Sequence, residues 1–128
     1  MTEKSIQSYE DLEVYQLAFE LALVLHQLSL GFPKIEQYAL ADQLRRASKS
    51  ICANIAEGFA RRAASVTEFR RFLSIAFGSS EEVRVWLSFA EKLGYVEAAK
   101  ATELKSDYIR ISKMLRALGK AWSKPPNK

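Results

Sequence analysis

The chain is 128 residues long, with 48% hydrophobic residues, 27% charged residues and a formal net charge of +4. These values are typical of one folded domain with its own core, and they exclude a disordered chain. The single cysteine, Cys52, excludes an internal disulfide.

The first two predicted helices come from apolar residues that recur every three or four positions. Ser8 and Asp11 have the spacing of a capping box, and the apolar series that follows stops before Gly31: Val14, Leu17, Leu21, Val24 and Leu28. After Pro33, a second series predicts a long helix that runs towards Arg62: Leu40, Leu44, Ala47, Ile51, Ile55 and Phe59.

Two further helices follow in the same way. Ser65 and Glu68 have capping-box spacing, and a third helix is predicted to run to Gly94 along these residues: Phe69, Leu73, Ala76, Ser80, Val83, Leu87 and Ala90. A heptad stripe then predicts a fourth helix before Pro125: Ala101, Leu104, Tyr108, Ile111, Leu115, Leu118 and Trp122. In the middle of the third helix, Ala76, Gly78, Ser79 and Ser80 carry little side-chain volume, so another helix could approach closely there, inside the bundle or from a neighbouring subunit.

Four amphipathic helices with short connections predict an all-α fold, an antiparallel up-down-up-down four-helix bundle. Residues 1–128 form one domain in this prediction, with a short basic tail from about residue 124. Polar residues interrupt the apolar stretch 14–30, so no membrane span is expected. The N-terminal residues lack a signal-peptide pattern, which together with the lone cysteine predicts a cytoplasmic protein.

Charge is segregated by segment. Residues 1–44 carry two bases and seven acids and residues 73–98 two and four, whereas residues 45–72 carry seven bases and two acids and residues 99–128 eight and two. Neighbouring helices of opposite charge could account for this pattern by internal complementarity. Antiparallel topology would, however, also gather seven basic residues at one end of the bundle: Arg61, Arg62, Arg70, Arg71, Lys120, Lys124 and Lys128. Such a patch fits either nucleic-acid phosphate contact or a merely solvated surface.

Catalytic motifs are missing from the sequence, which has no Gly-rich phosphate loop and only one histidine, His26, beside the one cysteine. We therefore expect no enzymatic activity, no metal and no cofactor. One polar seam lies along a face of the second helix: Gln43, Arg46, Ser50, Asn54 and Glu57. Ser50 has no basic activating partner on that face, so the seam is interpreted as structural hydrogen bonding that fixes helix or subunit register.

The segments QLRRASKSICANIAEGFARR and EFRRFLSIAFGSSEEV resemble the four-helix-bundle family encoded in intervening sequences of bacterial large-subunit ribosomal RNA genes. That family also includes the accessory variability determinants of diversity-generating retroelements. The resemblance spans nearly the whole chain, and it implies a homopentameric ring, RNA or DNA binding through basic surface and, for the retroelement members, a reverse-transcriptase partner. Cys52 stands where the family usually has proline, so the residue that would bend the second helix is missing.

The sequence thus predicts a non-enzymatic, homo-oligomeric binding module, a pentamer by resemblance, that contacts RNA or DNA through its basic end. The alternative is a protein-interaction scaffold with no nucleic-acid function. Self-association is also predicted because five large aromatic residues exceed what one core stripe per helix can hide: Phe72, Phe77, Trp86, Phe89 and Trp122.

Overall fold

A computed structural model describes residues 5–122, and it confirms the predicted all-α four-helix bundle. The helices are α1 (Glu13–Leu30), α2 (Leu40–Arg61), α3 (Val66–Lys92) and α4 (Ala98–Ala121). Single 3-10 turns at Tyr9–Asp11 and Lys34–Glu36 precede α1 and α2, and residues 5–122 contain no strand. None of the described helices is long and apolar enough to cross a membrane.

The helices alternate in direction, as ring contacts at the two ends of the bundle show. At one end, the Trp122 ring that follows α4 lies 6.3 Å from Phe59 near the end of α2 and 5.6 Å from Phe69 near the start of α3. At the other end, Phe32 lies 5.4 Å from Tyr95, so the α1–α2 and α3–α4 connections are together. The end of α2, the start of α3 and the end of α4 therefore converge, as up-down-up-down topology requires.

The core stripes predicted for α2 and α3 are confirmed, because each of their residues is buried. The α4 stripe is buried as far as Leu115, while Leu118 and Trp122 are only partly buried at its end. The low-volume segment of α3 divides between core and surface, since Ala76, Ser79 and Ser80 are buried but Gly78 is exposed.

The predicted stripe of α1 is wrong in register. Val14 and Leu21 are buried as expected, but Leu17 and Leu28 are only partly buried and Val24 is exposed. The core instead takes these residues: Ala18, Ala22, Leu25 and Ser29. The reason is that α1 packs mainly on α2 and touches α4 only slightly, which turns its buried face towards α2.

Helix starts follow the predicted capping residues only in part. Ser8 and Asp11 do form a reciprocal capping box, but it closes the 3-10 turn, and α1 begins afterwards at Glu13 without a side-chain cap. Ser65 accepts a hydrogen bond from the Glu68 backbone N–H at 3.1 Å, which caps α3. The Glu68 carboxylate pairs with Arg71, which leaves the predicted box half formed.

The α1–α2 connection is fixed by Arg45, a contact that the sequence analysis missed. Its guanidinium donates to Ser29 Oγ at 2.8 Å and to the Gln37 backbone carbonyl at 2.9 Å. The Gln37 amide in turn donates to the carbonyls of Ser29 at 2.9 Å and Phe32 at 3.0 Å. These bonds reach the Ser29 carbonyl in the last turn of α1, which has no partner within the helix, and the carbonyls of Phe32 and Gln37 in the connection.

We expect Arg45→Ala to lower the free energy of unfolding by about 2–3 kcal/mol, because charged hydrogen bonds are lost and their partly buried acceptors are left unpaired. The adjacent Arg46→Ala is the matched control, since Arg46 is exposed and pairs only with Asp42. Chemical denaturation measures both, and an equal effect of the two changes would contradict the role given to Arg45.

Gly58 allows α2 and α3 to approach closely. A Cβ at this position would lie 2.8 Å from Phe72 Cβ, 3.1 Å from the Phe69 carbonyl oxygen and 3.2 Å from the Phe69 ring. Phe72 Cβ is bonded directly to the α3 backbone, and the Phe69 carbonyl oxygen is part of it. Neither atom can move away without shifting α3. Only glycine fits this crossing without displacing a helix.

Gly58→Ala should therefore destabilise the bundle by about 1–3 kcal/mol through overpacking, despite the better helix propensity of alanine. Gly119→Ala is the control, because the added Cβ meets only Leu73 Cδ1 at an ordinary 3.8 Å. Thermal unfolding should separate the two variants, with Gly119→Ala equal to or above the native chain; a stable Gly58→Ala variant would refute the close-packing argument.

Candidate nucleic-acid interface

Three of the predicted basic residues already form contacts within their own helices: Arg61, Arg62 and Arg71. Arg61 pairs with Glu57 at 2.7 Å, and Arg71 binds Glu68 through two bonds of 3.1 and 3.2 Å. Both guanidinium groups also lie over the Phe72 ring, at 5.1 and 4.6 Å from its centroid. Arg61 and Arg71 are thus each paired with a glutamate of the same helix.

Arg62 caps the C-terminal end of α2. It donates to the Phe59 carbonyl at 2.8 Å, and its guanidinium carbon lies 3.7 Å from the centroid of the Phe59 ring. A cation at a helix C-terminus is favourable because it meets the carbonyls that lack helical partners. We assign Arg62 mainly to helix capping.

Arg70 and Lys120 lie together with Arg116 along a groove between α3 and α4. This groove has a volume of about 280 Å³, and Phe77 and Leu115 form part of its apolar lining. The three cations form no ion pair with any residue in the described part of the chain. The Arg116 guanidinium lies 4.8 Å from the centroid of the Phe77 ring, which holds it across the groove.

A second depression continues the same face. It has a volume of about 260 Å³, shares Phe77 and Arg116 with the first and adds Lys113. The acidic residue in it, Glu81, is paired with Arg84 at 2.7 Å and accepts from Ser112 at 2.8 Å. We call the combined feature the basic groove, defined by these four residues: Arg70, Lys113, Arg116 and Lys120.

The basic residues that the sequence singled out therefore do not form one patch of equivalent charges. The structure places Arg61, Arg62, Arg70, Arg71 and Lys120 at one end of the bundle, whereas Lys124 and Lys128 lie outside the described residues. Arg116 and Lys113 were not singled out. Their signal is helical spacing, since Arg116 precedes Lys120 by four residues and so shares its face.

The polar seam divides into a half-buried centre and exposed ends. Asn54 donates to the Ser50 carbonyl at 2.8 Å and to Ser50 Oγ at 3.0 Å, and Ser79 of α3 donates to the same Oγ at 3.0 Å. Gln43 is exposed, and the outer charges pair along the helix, Arg46 with Asp42 and Glu57 with Arg61. Only the centre of the seam links α2 to α3.

Cys52 is half-buried between α1 and α2, and burial raises the pKa of its thiol to about 11. The thiol is therefore protonated at neutral pH, where a nucleophile would need to be a thiolate. Nearby, Lys49 Nζ lies 3.1 Å from His26 Nδ1, and an ammonium group can only donate in such a contact. Residues 5–122 hold no group of three or more potential metal ligands.

The aromatic residues that were expected to exceed the core are mostly accommodated. Trp122 packs on Phe59 and Phe69, while Phe72, Phe77 and Trp86 are half-buried, which leaves only Phe89 of the five exposed. Apolar surface is exposed elsewhere, most strongly in the α1–α2 connection, where Ile35 is 83% and Tyr38 96% exposed.

Comparison with known proteins supports the same architecture. The family model described as 23S rRNA-intervening sequence protein matches residues 10–117. A crystal structure from Bacteroides thetaiotaomicron, a protein of unknown function from the S23 ribosomal protein family, is similar with a TM-score of 0.74 and 25% sequence identity. The similarity covers 84% of this chain and 95% of that one. No curated protein matches the sequence.

Cys52 should react slowly with alkylating reagents. With its pKa near 11 rather than the usual value of about 8.5, the folded protein holds roughly two orders of magnitude less thiolate at pH 8 than the unfolded chain. The pKa of Cys52 is higher in the folded protein than in the unfolded chain. Its contribution to the free energy of unfolding is therefore fully present below about pH 8.5 and is lost as the pH rises towards 11. Iodoacetamide labelling followed by mass spectrometry, with and without urea, tests this; equal rates in both conditions would contradict it.

Proposed function

Since the chain belongs to the family of 23S rRNA-intervening sequence proteins, we propose its function from its surface: it is a non-enzymatic, homo-oligomeric module that binds RNA or DNA through the basic groove. The similar solved structure is itself described as a protein of unknown function. The pentameric stoichiometry and a reverse-transcriptase partner come from the family resemblance, and they stay predictions.

The observation that carries the proposal is the set of unpaired cations between α3 and α4. Arg70, Arg116 and Lys120 line one concave surface and have no carboxylate partner in residues 5–122, whereas Arg61 and Arg71 are each neutralised by a glutamate. An unpaired, exposed cation can exchange its counterions for phosphate without first breaking an internal bond. The binding role therefore shifts from the α2–α3 turn to the α3–α4 groove.

The groove has the dimensions of a short stretch of nucleic-acid backbone. From Lys113 to Lys120, α4 rises about 10 Å at 1.5 Å per residue, which matches the axial rise of about three base pairs of a duplex at 3.4 Å each. Phe77 and the guanidinium of Arg116 add a planar surface on which an unpaired base could stack. The groove contacts the backbone mainly by charge, so little dependence on sequence is expected.

Oligomerisation would multiply this weak contact. Several grooves on one particle engage one nucleic acid at high effective concentration, so binding can be far tighter than a single groove allows. The proposal therefore joins the two parts, self-association and a repeated basic surface.

A catalytic role has little support from the geometry of the polar residues. Ser50 Oγ accepts hydrogen bonds from Asn54 and Ser79, neither of which is a base that could activate it. The Cys52 thiol is held in its protonated form.

The alternative is a scaffold that binds protein only. The intrahelical pairs Arg61–Glu57 and Arg71–Glu68 favour the scaffold, because they show that part of the basic end forms ion pairs with glutamates of the same chain. The two functions differ in whether the unpaired cations of the basic groove contact phosphate.

The test is fluorescence anisotropy with labelled single-stranded RNA and duplex DNA over a range of salt. We expect affinity to fall as salt rises, with a slope of about 0.7 to 0.9 for each phosphate contacted. The triple variant Arg70→Gln, Arg116→Gln, Lys120→Gln should lose at least tenfold in affinity and show a smaller slope.

The matched control removes the same charge from other surfaces by Arg46→Gln, Lys92→Gln and Arg110→Gln, all of which are exposed positions. This control should bind nearly as tightly as the native chain. Equal losses in both triple variants would show that net charge alone governs binding. No association of the native protein at about 50 mM salt would refute the nucleic-acid function and favour the scaffold.

A further inference from the structure

An apolar groove with a volume of about 540 Å³ runs between α1 and α2. Its walls are large side chains of α1, with Phe19 47% and Leu23 55% exposed, and Tyr15 stacks on Phe19 at 5.9 Å. Its α2 side is formed by the small residues Ala53 and Ala56. A groove that is bordered by large side chains and has small side chains at its base can receive protruding side chains from another helix.

The charge in this groove is positive. Lys49 lies in the lining, and among the described residues its Nζ forms one side-chain hydrogen-bond contact, with His26 Nδ1 at 3.1 Å, and no ion pair. Within residues 5–122, no aspartate or glutamate lines the groove. A helix that enters it is therefore favoured if it carries an acidic residue beside apolar ones.

The outward face of α3 has those properties. Five residues at helical spacing share this face: Ile75, Gly78, Glu82, Val85 and Phe89. Ile75, Val85 and Phe89 are 41%, 49% and 53% exposed, and Glu82 forms no ion pair with any residue of the described chain. A Cβ added at Gly78 would meet nothing within 4 Å, so the middle of this ridge is open to a close neighbour.

We propose that the α3 ridge of one copy of this chain docks into the α1–α2 apolar groove of the next copy, with Glu82 placed beside Lys49. The inference rests on the homo-oligomeric part of the proposed function, and it names the two surfaces that associate. A second copy is the occupant because the protruding apolar residues and the unpaired acid that fit the groove lie on another helix of the same chain. The ridge cannot reach its own groove, since α3 does not pack on α1 within one copy.

The contact is heterologous, because the ridge and the groove are different surfaces. When two copies share one such contact, one ridge and one groove of the pair stay free, so the contact continues from copy to copy until a ring closes. The basic groove between α3 and α4 belongs to neither surface. It therefore stays accessible and is repeated in every copy, as multivalent binding of a phosphate backbone requires.

The experiment blocks each surface separately. Ala53→Arg fills the groove, and Phe89→Asp places a charge on the ridge; both positions are exposed, so helical circular dichroism should be unchanged. Light scattering should give a multiple of 14.5 kDa, larger than two copies, for the native chain and a monomer for each variant. Mixing the two variants leaves one intact ridge and one intact groove, so a 1:1 pair of about 29 kDa, twice 14.5 kDa, should form and grow no further.

Charge reversal tests the pairing of Glu82 with Lys49. Each single change, Lys49→Glu or Glu82→Lys, should dissociate the assembly, whereas the double variant should reassemble. Ile109→Ser is the control, because it removes an exposed apolar residue of α4 that belongs to neither surface.

The outcomes separate the two proposals. A native monomer at micromolar concentration would refute self-association and this contact together. A native oligomer that persists in Ala53→Arg and Phe89→Asp, or that dissociates equally in Ile109→Ser, would refute the assigned surfaces alone. Loss of nucleic-acid binding with the assembly intact would leave the docking contact standing.

Discussion

At Gly58 the backbone of α2 lies so close to Phe69 and Phe72 of α3 that a Cβ would overlap them. This contact fixes the distance between the two helices at one end, and the hydrogen bond from Ser79 to Ser50 joins them nearer their middle. The turn between α2 and α3 follows directly, and the Trp122 ring at the end of α4 packs against Phe69 there. The close approach thereby sets where the ends of three helices meet.

The same packing gives the faces of the bundle different chemistry. Between α1 and α2 the surface is apolar with Lys49 in its lining, whereas between α3 and α4 it is lined by cations that have no carboxylate partner within residues 5–122. The outward face of α3 combines apolar residues with Glu82. A small bundle with distinct faces can associate through two of them and leave a third for another partner.

Charge has two different roles in this molecule. Arg61 and Arg71 are bound by glutamates one helical turn away and packed on Phe72, so they contribute to local structure. Arg70 and Lys120 belong to the same end of the bundle but have no such partner within residues 5–122. Counting basic residues along a segment cannot separate these roles, because the distinction depends on which acids share the helical face.

The sequence by itself determined the four helices, their alternating direction and the buried stripes of α2 and α3, because helical periodicity and short connections leave few other arrangements. It did not determine the rotation of α1, where Leu25 is buried and Val24 exposed, since two overlapping apolar stripes include Val14 and Leu21 and only packing against α2 chooses between them. It also missed the Arg45 contacts and the membership of Arg116 in the basic groove. The Arg45 contacts depend on how the α1–α2 connection folds back onto α2. Helical spacing places Arg116 on the face of Lys120, but only the tertiary structure brings Arg70 of α3 beside that face.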